Sequence, residues 1–400
     1  MINSLQQYGE ELQKELADIL DYWMQYAPDE KYGGFHGKID HENRIDNTAP
    51  KGAVLNARIL WSFAAAYNCT GHQQYLPLAK RAYDYINQHF IDKTYGGIYW
   101  TVTYAGDPLD TKKQIYAIAF LLYAFSEYYI ATQQEETKLR AIELYHLIEQ
   151  HSFDPVETGY LEAFTRDWQP VADLRLSDKD ANEKKTMNTH LHILEAYTNL
   201  YRVWPNEKLR NSIVLLLANF TEHIINKSNW HLTLFFNEAW QAKGNIVSYG
   251  HDIEAAWLLL EAAEVINDAV EIKELKEIAV KISDAATEGL DADGGLWYEK
   301  EGEHLVKEKH WWPQAEAMIG FFNSWQITSD VQYLRHSFNS WAFVQKGIKA
   351  NNGEWIWGLT KNNQLMPQQD KAGLWKCPYH NSRACIELIN RIGRTTLNLL

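Results

Sequence analysis

The chain has 400 residues, 46% of them hydrophobic, and its 38 basic and 52 acidic residues give a formal net charge of −14. That acidic balance argues against nucleic acid and against an anionic membrane surface as partners, because both attract clustered Lys and Arg. No run of about 18 apolar residues predicts a membrane span, and no basic segment followed by an apolar one predicts a signal peptide. With only three cysteines for its size, the chain is expected to be a reduced, cytoplasmic protein.

A short motif of glycine and aromatic residues recurs six times along the chain, the fourth time in degenerate form. Gly34 and Gly97 lie 63 residues apart and Gly97 and Gly159 lie 62 apart, so one unit takes roughly 65 residues. Glycine supplies a positive φ and alternating aromatics suit a pleated strand, which predicts a tight turn with a short strand at each copy. The copies stand at 32–36, 95–100, 158–162, 234–238, 293–298 and 353–358.

Between these turns the apolar residues recur with a helical period, which predicts twelve helices. Even-numbered helices such as 112–132 are apolar nearly all round, whereas odd-numbered ones such as 271–289 keep a charged face. We therefore predict an all-α fold, an (α/α)6 barrel with even helices inside, odd helices outside and short β-hairpins at one rim, in a single domain over residues 1–400. An open solenoid of helix pairs is the alternative. The predicted helices are 4–27, 52–69, 73–91, 112–132, 135–151, 188–203, 206–227, 251–268, 271–289, 310–327, 330–348 and 380–398.

The N-terminal ends of the even helices share one rim with the hairpins, and this concave rim is the expected site. Histidine stands at or near four of the six helix starts, which a random scatter of 15 histidines would not favour. A segment of about 28 residues before helix 188–203 is long for a connection and predicts either a lid or a mobile surface loop. The polar and aromatic residues at or near these starts are Arg58, Tyr116, Asn188, His190, His192, His251, Glu254, Trp312, Trp375 and His380.

Spacing within the helices suggests partners for some of these side chains. His251 and Glu254 are three residues apart on one helix face, so the carboxylate can orient the imidazole, or the two form a buried ion pair that only packs. His190 and His192 point about 200° apart, so one faces the pocket and the other the surrounding structure. Arg58, inside an apolar run, needs buried partners, either ligand oxygens or an internal carboxylate.

Motifs of several other enzyme classes are absent: the chain has no G-x-G-x-x-G, H-E-x-x-H or C-x-x-C pattern. Clustered histidines could hold a metal ion. Because Glu254 is better explained as the partner of His251, we predict no metal site. Trp312 and Trp375 are either core residues or platforms on which sugar rings stack.

Four stretches resemble the N-acylglucosamine 2-epimerase superfamily, namely Lys51–Trp61, Met187–His192, Ser248–Glu254 and Trp375–His380. The resemblance covers essentially the whole chain and implies the same (α/α)6 barrel that the repeats predict. It implies an isomerase that inverts C2 of the glucose at the reducing end of β-1,4-linked disaccharides such as cellobiose or lactose, giving mannose. No cofactor is implied, because the reaction has no net redox change.

The resemblance also implies roles for individual residues. His251 and His380 would be the acid/base pair that moves the C2 proton through a cis-enediolate, a task that suits neutral imidazole. Arg58 and His192 would stabilise the enediolate, where one donor is worth about 3–4 kcal/mol, and Glu254 would complete the catalytic set. The substrate-binding residues would be Tyr116, Asn188, Trp312, Trp375 and, in the predicted lid, Asp180.

Other functions remain open from the sequence. A glycosidase or lyase needs carboxylates on both sides of a glycosidic bond, whereas Glu162, Asp167 and Asp173 all lie in one hairpin and the predicted lid. A monosaccharide 2-epimerase or a ketose-forming isomerase would share the enediolate, and a sugar-binding barrel without catalysis is a further alternative. In each case the expected partner is a small sugar, with neither nucleic acid nor membrane involved.

Overall fold

The computed structural model of the chain describes residues 4–351 and 353–397. The predicted domain 1–400 and the predicted helix 380–398 extend beyond these residues. Within them, twelve α-helices alternate along the chain between two concentric rings. The helices are α1 (Leu5–Tyr26), α2 (Ala53–Thr70), α3 (Leu76–Tyr85), α4 (Ile115–Thr132), α5 (Glu135–His151), α6 (Met187–Val203), α7 (Glu207–Asn219), α8 (Tyr249–Val265), α9 (Ala269–Ala286), α10 (Trp311–Thr328), α11 (Val331–Phe343) and α12 (Tyr379–Leu397).

The even-numbered helices form the inner ring. Each of them contacts the next one along the chain, and α12 contacts α2, which closes the ring. The outer helices α3, α5, α7, α9 and α11 each pack against the inner helix that precedes them, and α1 packs against α12. The architecture is the predicted (α/α)6 barrel and not an open solenoid.

The composition of each helix follows from its ring. Thirteen of the 18 residues of α4 are buried, against seven of the 18 residues of α9 in the outer ring. By length and composition alone α4 could cross a membrane, but 72% of this stretch is buried inside the barrel. A helix that is apolar all round is expected where neighbours cover every face, as they do in the inner ring.

Short antiparallel strands tie five of the hairpins to the starts of inner helices. The strands β1, β4, β6, β8 and β11 directly precede inner helices, and they pair with β2, β5, β7, β9 and β12 respectively. The twelve strands in the described residues are β1 (Lys51–Gly52), β2 (Thr101–Val102), β3 (Pro108–Asp110), β4 (Lys113–Gln114), β5 (Ala163–Phe164), β6 (Lys185–Thr186), β7 (Phe235–Phe236), β8 (Ile246–Ser248), β9 (Glu299–Glu301), β10 (His304–Val306), β11 (Lys309–His310) and β12 (Gly358–Leu359).

A lysine–aspartate pair anchors four of the hairpins to the inner ring. Lys51, in the strand before α2, donates from Nζ to Asp29 at 2.8 Å and to the carbonyl of Gly33 at 2.7 Å. These lysine side chains are almost fully buried, so the pairs fix the rim on which the site is built. The equivalent pairs are Lys113 with Asp92 at 2.9 Å, Lys185 with Asp154 at 2.8 Å and Lys309 with Asp293 at 2.6 Å.

Two local predictions need correction. The fourth turn lies at 226–231, where Ile225 bridges Leu232, and not at 234–238, part of which forms β7. Trp230 rather than glycine takes the positive φ of 63° in this turn, so the glycine pattern does not mark it. The outer helices α3, α7 and α11 also end earlier than predicted, and each continues as a short π-helical turn.

Candidate functional site

A cavity of about 210 Å³ opens at the rim, among the N-terminal ends of the inner helices. Every residue that the sequence analysis assigned to the site lines it. They come from all six inner helices, the segment before α12 and the loop between β5 and β6. These residues are Arg58, Tyr116, Asp180, Asn188, His192, His251, Glu254, Trp312, Trp375 and His380.

The loop between β5 and β6 forms one wall of this cavity. Its residues Leu174 and Asp180 line the space, and Asn182 braces it by accepting the backbone N–H of Leu174 at 2.9 Å. Lys179 donates to the hydroxyl of Tyr298 on the opposite wall at 3.0 Å. The position and contacts of this loop therefore favour the lid over a mobile surface loop.

Two of the three predicted site histidines are held by buried carboxylates, and a fourth histidine, His310, also lines the cavity. Nδ1 of His192 lies 2.9 Å from Oε2 of Glu195, and Nδ1 of His380 lies 2.7 Å from Oε1 of Glu316. Because an ionised carboxylate only accepts, both rings carry a hydrogen on Nδ1. Nε2 of each ring has no protein partner within the described residues, so it is the nitrogen available to a substrate.

The third histidine, His251, has a different partner from the predicted one. Its Nδ1 lies 2.8 Å from Oγ of Ser248, whereas Oε1 of Glu254 accepts from Nη2 of Arg383 at 2.5 Å. The predicted pairing of His251 with Glu254 is therefore wrong, because a buried guanidinium binds a carboxylate more strongly than a neutral imidazole does. Burial, followed by the nearby His192, lowers the pKa of His251 to about 3, so this ring is uncharged at neutral pH.

Arg383 joins three buried carboxylates beneath the histidines. Its Nη2 donates to Glu254 at 2.5 Å and to Glu316 at 2.7 Å, and its Nη1 donates to Glu195. The hydroxyl of Tyr379 also donates to Glu195, at 2.5 Å. This network fixes the carboxylates that orient two of the histidines, and none of Arg383, Glu195 and Glu316 was among the predicted site residues.

Three groups in this network have the spacing of metal ligands. Glu254, Glu316 and His380 each offer one ligand atom, and these three atoms lie within 4.8 Å of one another. The guanidinium of Arg383, however, bridges the two carboxylates and supplies the positive charge that they require. The set is therefore better explained as an ion network than as a metal centre.

Arg58 is a buried cation without a carboxylate partner in the described part of the chain. Its Nη2 donates to the hydroxyl of Tyr116 at 2.7 Å, and its guanidinium lies 4.1 Å from the ring centroid of Phe120. Nε of Arg58 has no hydrogen-bond partner among the described residues. A buried charge with neutral neighbours needs an anionic partner, so the structure favours ligand oxygens over an internal carboxylate.

His190 and His192 point to opposite sides of α6, as predicted. Nε2 of His190 accepts the backbone N–H of Tyr160 at 2.9 Å, and its Nδ1 lies 2.6 Å from the carbonyl of Thr186. His190 thus binds the third hairpin to α6, whereas His192 lines the cavity.

Two tryptophans present partly exposed rings to the cavity. The ring centroid of Trp312 lies 4.7 Å from that of His251 and 5.6 Å from that of His380, so one indole contacts both histidines. Trp375 lies 6.0 Å from Tyr116 on the other side of the site. Partly exposed aromatic faces beside polar groups suit the apolar face and the hydroxyls of a sugar.

A further carboxyl group, Glu162, lines the cavity below the lid. It accepts from Oγ1 of Thr189 at 2.6 Å and from the backbone N–H of Thr186 at 2.9 Å. Burial raises its pKa to about 8, so it is mostly protonated at neutral pH. Asp167 and Asp173, the other carboxylates considered for a glycosidase, are not among the residues that line the cavity.

Comparisons with known proteins agree over nearly the full length of the chain. A family model described as N-acylglucosamine 2-epimerase (GlcNAc 2-epimerase) matches residues 33–384. The chain is 50% identical to a cellobiose 2-epimerase of Bacteroides fragilis and 38% identical to one of Ruminococcus albus; each alignment covers 95% of this chain and 98% of the relative. The solved structure of cellobiose 2-epimerase from Bacillus thermoamylovorans B4167 matches with a TM-score of 0.93 and 37% identity, covering 96% of this chain and 100% of that one.

Proposed function

The chain belongs to the N-acylglucosamine 2-epimerase family and is a carbohydrate 2-epimerase, and within that activity we propose that it inverts C2 of the glucose at the reducing end of cellobiose. We name cellobiose as the substrate because the relatives at 50% and 38% identity are cellobiose 2-epimerases. The observation that carries the proposal is the pair of histidines, His251 and His380, that both contact the Trp312 indole in the cavity. Each has Nδ1 bound by the protein and Nε2 without a protein partner in the described residues.

Inversion at C2 requires the open-chain aldehyde form of the reducing sugar. The C2–H bond breaks, its proton moves to Nε2 of one histidine, and its electron pair forms the C1–C2 double bond of an enediolate. The other histidine must start with a second proton, on Nε2, and it donates this proton to the opposite face of C2 and becomes neutral. In the reverse direction the two histidines exchange roles. Burial, followed by Arg58 and Arg383, holds the pKa of His380 well below its usual range, as burial does for His251, so both rings readily release a proton.

The negative charge that develops on O1 needs fixed donors close to it. Arg58 has a buried guanidinium without a carboxylate, and His192 can donate from Nε2 when it is protonated, with Glu195 balancing its charge. One such donor is typically worth about 3–4 kcal/mol in the transition state. Glu254, whose Oε2 has no hydrogen-bond partner in the described residues, is placed to accept a substrate hydroxyl.

The two sugar rings are proposed to stack on Trp312 and Trp375 beneath the lid. Asn188, Tyr116 and Asp180 line the same space and offer hydrogen bonds to hydroxyls. Closure of the lid would exclude water from the enediolate and protect it from side reactions. We propose a small sugar as the only partner, and the cytoplasm as the location of the enzyme.

Proton NMR of cellobiose incubated with the protein tests this proposal. The expected product is the disaccharide with mannose at the reducing end, formed equally with and without a chelator. In D₂O, deuterium should appear at C2. Release of monosaccharide would instead identify a glycosidase, and a ketose product would identify an aldose–ketose isomerase. Parallel incubations with glucose and mannose show whether a single sugar suffices, and faster conversion of those sugars would contradict the disaccharide assignment.

A further inference from the structure

Ser248 occupies the N-cap position of α8 but does not cap the helix. Its backbone is extended, with φ of −114° and ψ of 101°, as at other N-caps, yet its side chain accepts no N–H from the first turn. Serine and threonine at this position normally accept such a bond, as Thr186 does from the backbone of Thr189 at the start of α6. The hydroxyl of Ser248 instead lies 2.8 Å from Nδ1 of His251.

The position of this hydroxyl is fixed by its surroundings. Ser248 is fully buried, and it is the last residue of β8, where it pairs with Glu299 of β9. A buried residue held in a sheet and at the start of a helix has little freedom to move. The Ser248 hydroxyl can therefore set the orientation of the His251 ring.

The charge of the partner distinguishes His251 from His192 and His380, the other two predicted site histidines. Carboxylates hold Nδ1 of His192 and of His380, whereas an uncharged hydroxyl holds Nδ1 of His251. A carboxylate would stabilise the imidazolium form, and a hydroxyl does so much less.

The other charged groups that face His251 act in the same direction. His192 from α6 and Lys179 from the lid both disfavour a positive charge on the ring, and His380 from α12 contacts the same Trp312 indole. Glu254, one turn along α8, is bound to Arg383 and so does not offset them. Without a carboxylate partner, His251 stays uncharged in the free enzyme.

We propose that Ser248 is a positioning residue for proton transfer: its hydroxyl binds Nδ1 of His251 and holds the ring with Nε2 towards the substrate, and when His251 acts as the base this hydroxyl accepts from Nδ1–H. The role rests on the proposed function, in which His251 removes the proton from C2. The Ser248 hydroxyl binds the base and does not cap the helix. Without this hydroxyl neither the orientation of the ring nor the hydrogen on Nδ1 is supported, and only the tautomer with a bare Nε2 can act as a base at the cavity.

Substitution of Ser248 by alanine tests the role in kinetics and in spectroscopy. We expect Ser248→Ala to lower kcat for cellobiose on the order of 10- to 100-fold, the usual cost of losing a residue that orients an active side chain. KM should stay unchanged, because Ser248 is not among the residues that line the cavity. Deuterium incorporation at C2 should slow by the same factor, and Ser248→Thr should restore most of the rate. Nitrogen-15 NMR of labelled histidine should show His251 protonated on Nδ1, and a mixture of tautomers in Ser248→Ala.

Ser4→Ala is the matched control, because Ser4 caps α1 by accepting from the backbone of Gln7 at 3.1 Å. It should lower the thermal midpoint without altering kcat or the His251 spectrum. The inference is overturned if Ser248→Ala keeps the wild-type kcat, or if His251 in the wild type is protonated on Nε2. Wild-type protein that leaves cellobiose unchanged would refute the proposed function instead, and the His251 spectrum would still test the tautomer.

Discussion

Arg383 donates from Nη2 to Oε1 of Glu316 at 2.7 Å, and the same oxygen lies 2.7 Å from Nδ1 of His380. One guanidinium thereby holds the carboxylate that orients a proposed proton-transfer residue. Through Glu195 it also supports His192 on the facing helix. The charge of Arg383 is needed for folding as well as for the site, because all three of its carboxylate partners are buried.

Replacing Arg383 by methionine should damage both stability and activity. The change leaves buried carboxylates without a cation, which typically costs about 3–5 kcal/mol. We therefore expect the free energy of unfolding in urea to fall by about that amount and epimerisation of cellobiose to be lost. Arg391→Met is the control, because Arg391 binds the side-chain oxygens of Asn323 and Gln326 at the opposite end of the barrel. A folded Arg383→Met protein with wild-type stability would show that the network is not needed for folding.

Replacing Arg58 by methionine should lower activity without lowering stability. Arg58 is buried among Tyr116 and Phe120 without a carboxylate, so its charge is a cost to the folded protein until negative charge develops on the enediolate. We expect kcat to fall on the order of 10²–10³-fold while the urea midpoint stays the same or rises. Arg202→Met, which removes an ion pair with Glu261 at the other mouth of the barrel, should leave kcat unchanged. A clear loss of stability in Arg58→Met would contradict this account.

The barrel was predictable because its units are nearly equal. Six similar stretches of apolar periodicity, each ending in a turn, fit a closed ring, and glycine marks those turns in which it takes the positive φ, as at Gly34 and Gly97. The fourth turn escaped because Trp230 takes the positive φ there, held by the hydrogen bonds of its own loop. A turn of this kind contains no glycine, so its composition does not mark it.

The residues that line the candidate site were predictable, but the buried groups that hold them were not. Glu195 follows His192 by three residues, the same spacing that suggested Glu254 for His251, so the rule applied to every histidine would have found it. Glu316 reaches His380 from α10, and Arg383 reaches Glu254 from α12, so these partners belong to different helices. Spacing along one helix carries no information about such pairs, and this is why Glu254 was assigned to the wrong partner.

Stability should depend on pH through Glu162. Burial raises the pKa of this carboxyl to about 8 in the folded protein, against an ordinary value of 4.5. The folded state therefore holds a proton that the unfolded state has already lost, and the stability that this contributes is present below pH 4.5 and disappears as the pH rises towards 8.

Glu162→Gln cannot titrate, so its free energy of unfolding should fall less steeply than that of the wild type between pH 5 and pH 8. The difference in slope can reach about 1.4 kcal/mol per pH unit. Urea denaturation at several pH values measures it, with the exposed Glu222→Gln as a control that keeps the wild-type slope. Parallel stability curves for Glu162→Gln and wild type would mean that Glu162 is ionised in the folded protein.

Alanine substitutions of His190 and His192, both on α6, should affect stability and catalysis separately. His190→Ala leaves the N–H of Tyr160 and the carbonyl of Thr186 without their buried partner, and each unsatisfied group costs about 1–3 kcal/mol. His192→Ala removes a proposed donor to the enediolate but leaves Glu195 bound to Arg383. We therefore expect His190→Ala to lower the free energy of unfolding while the folded fraction keeps its kcat. His192→Ala should unfold close to the wild-type urea midpoint and lose on the order of 10²–10³-fold in kcat. The reverse pattern, with His190→Ala inactive but stable, would mean that the side of α6 that carries His190 faces the substrate.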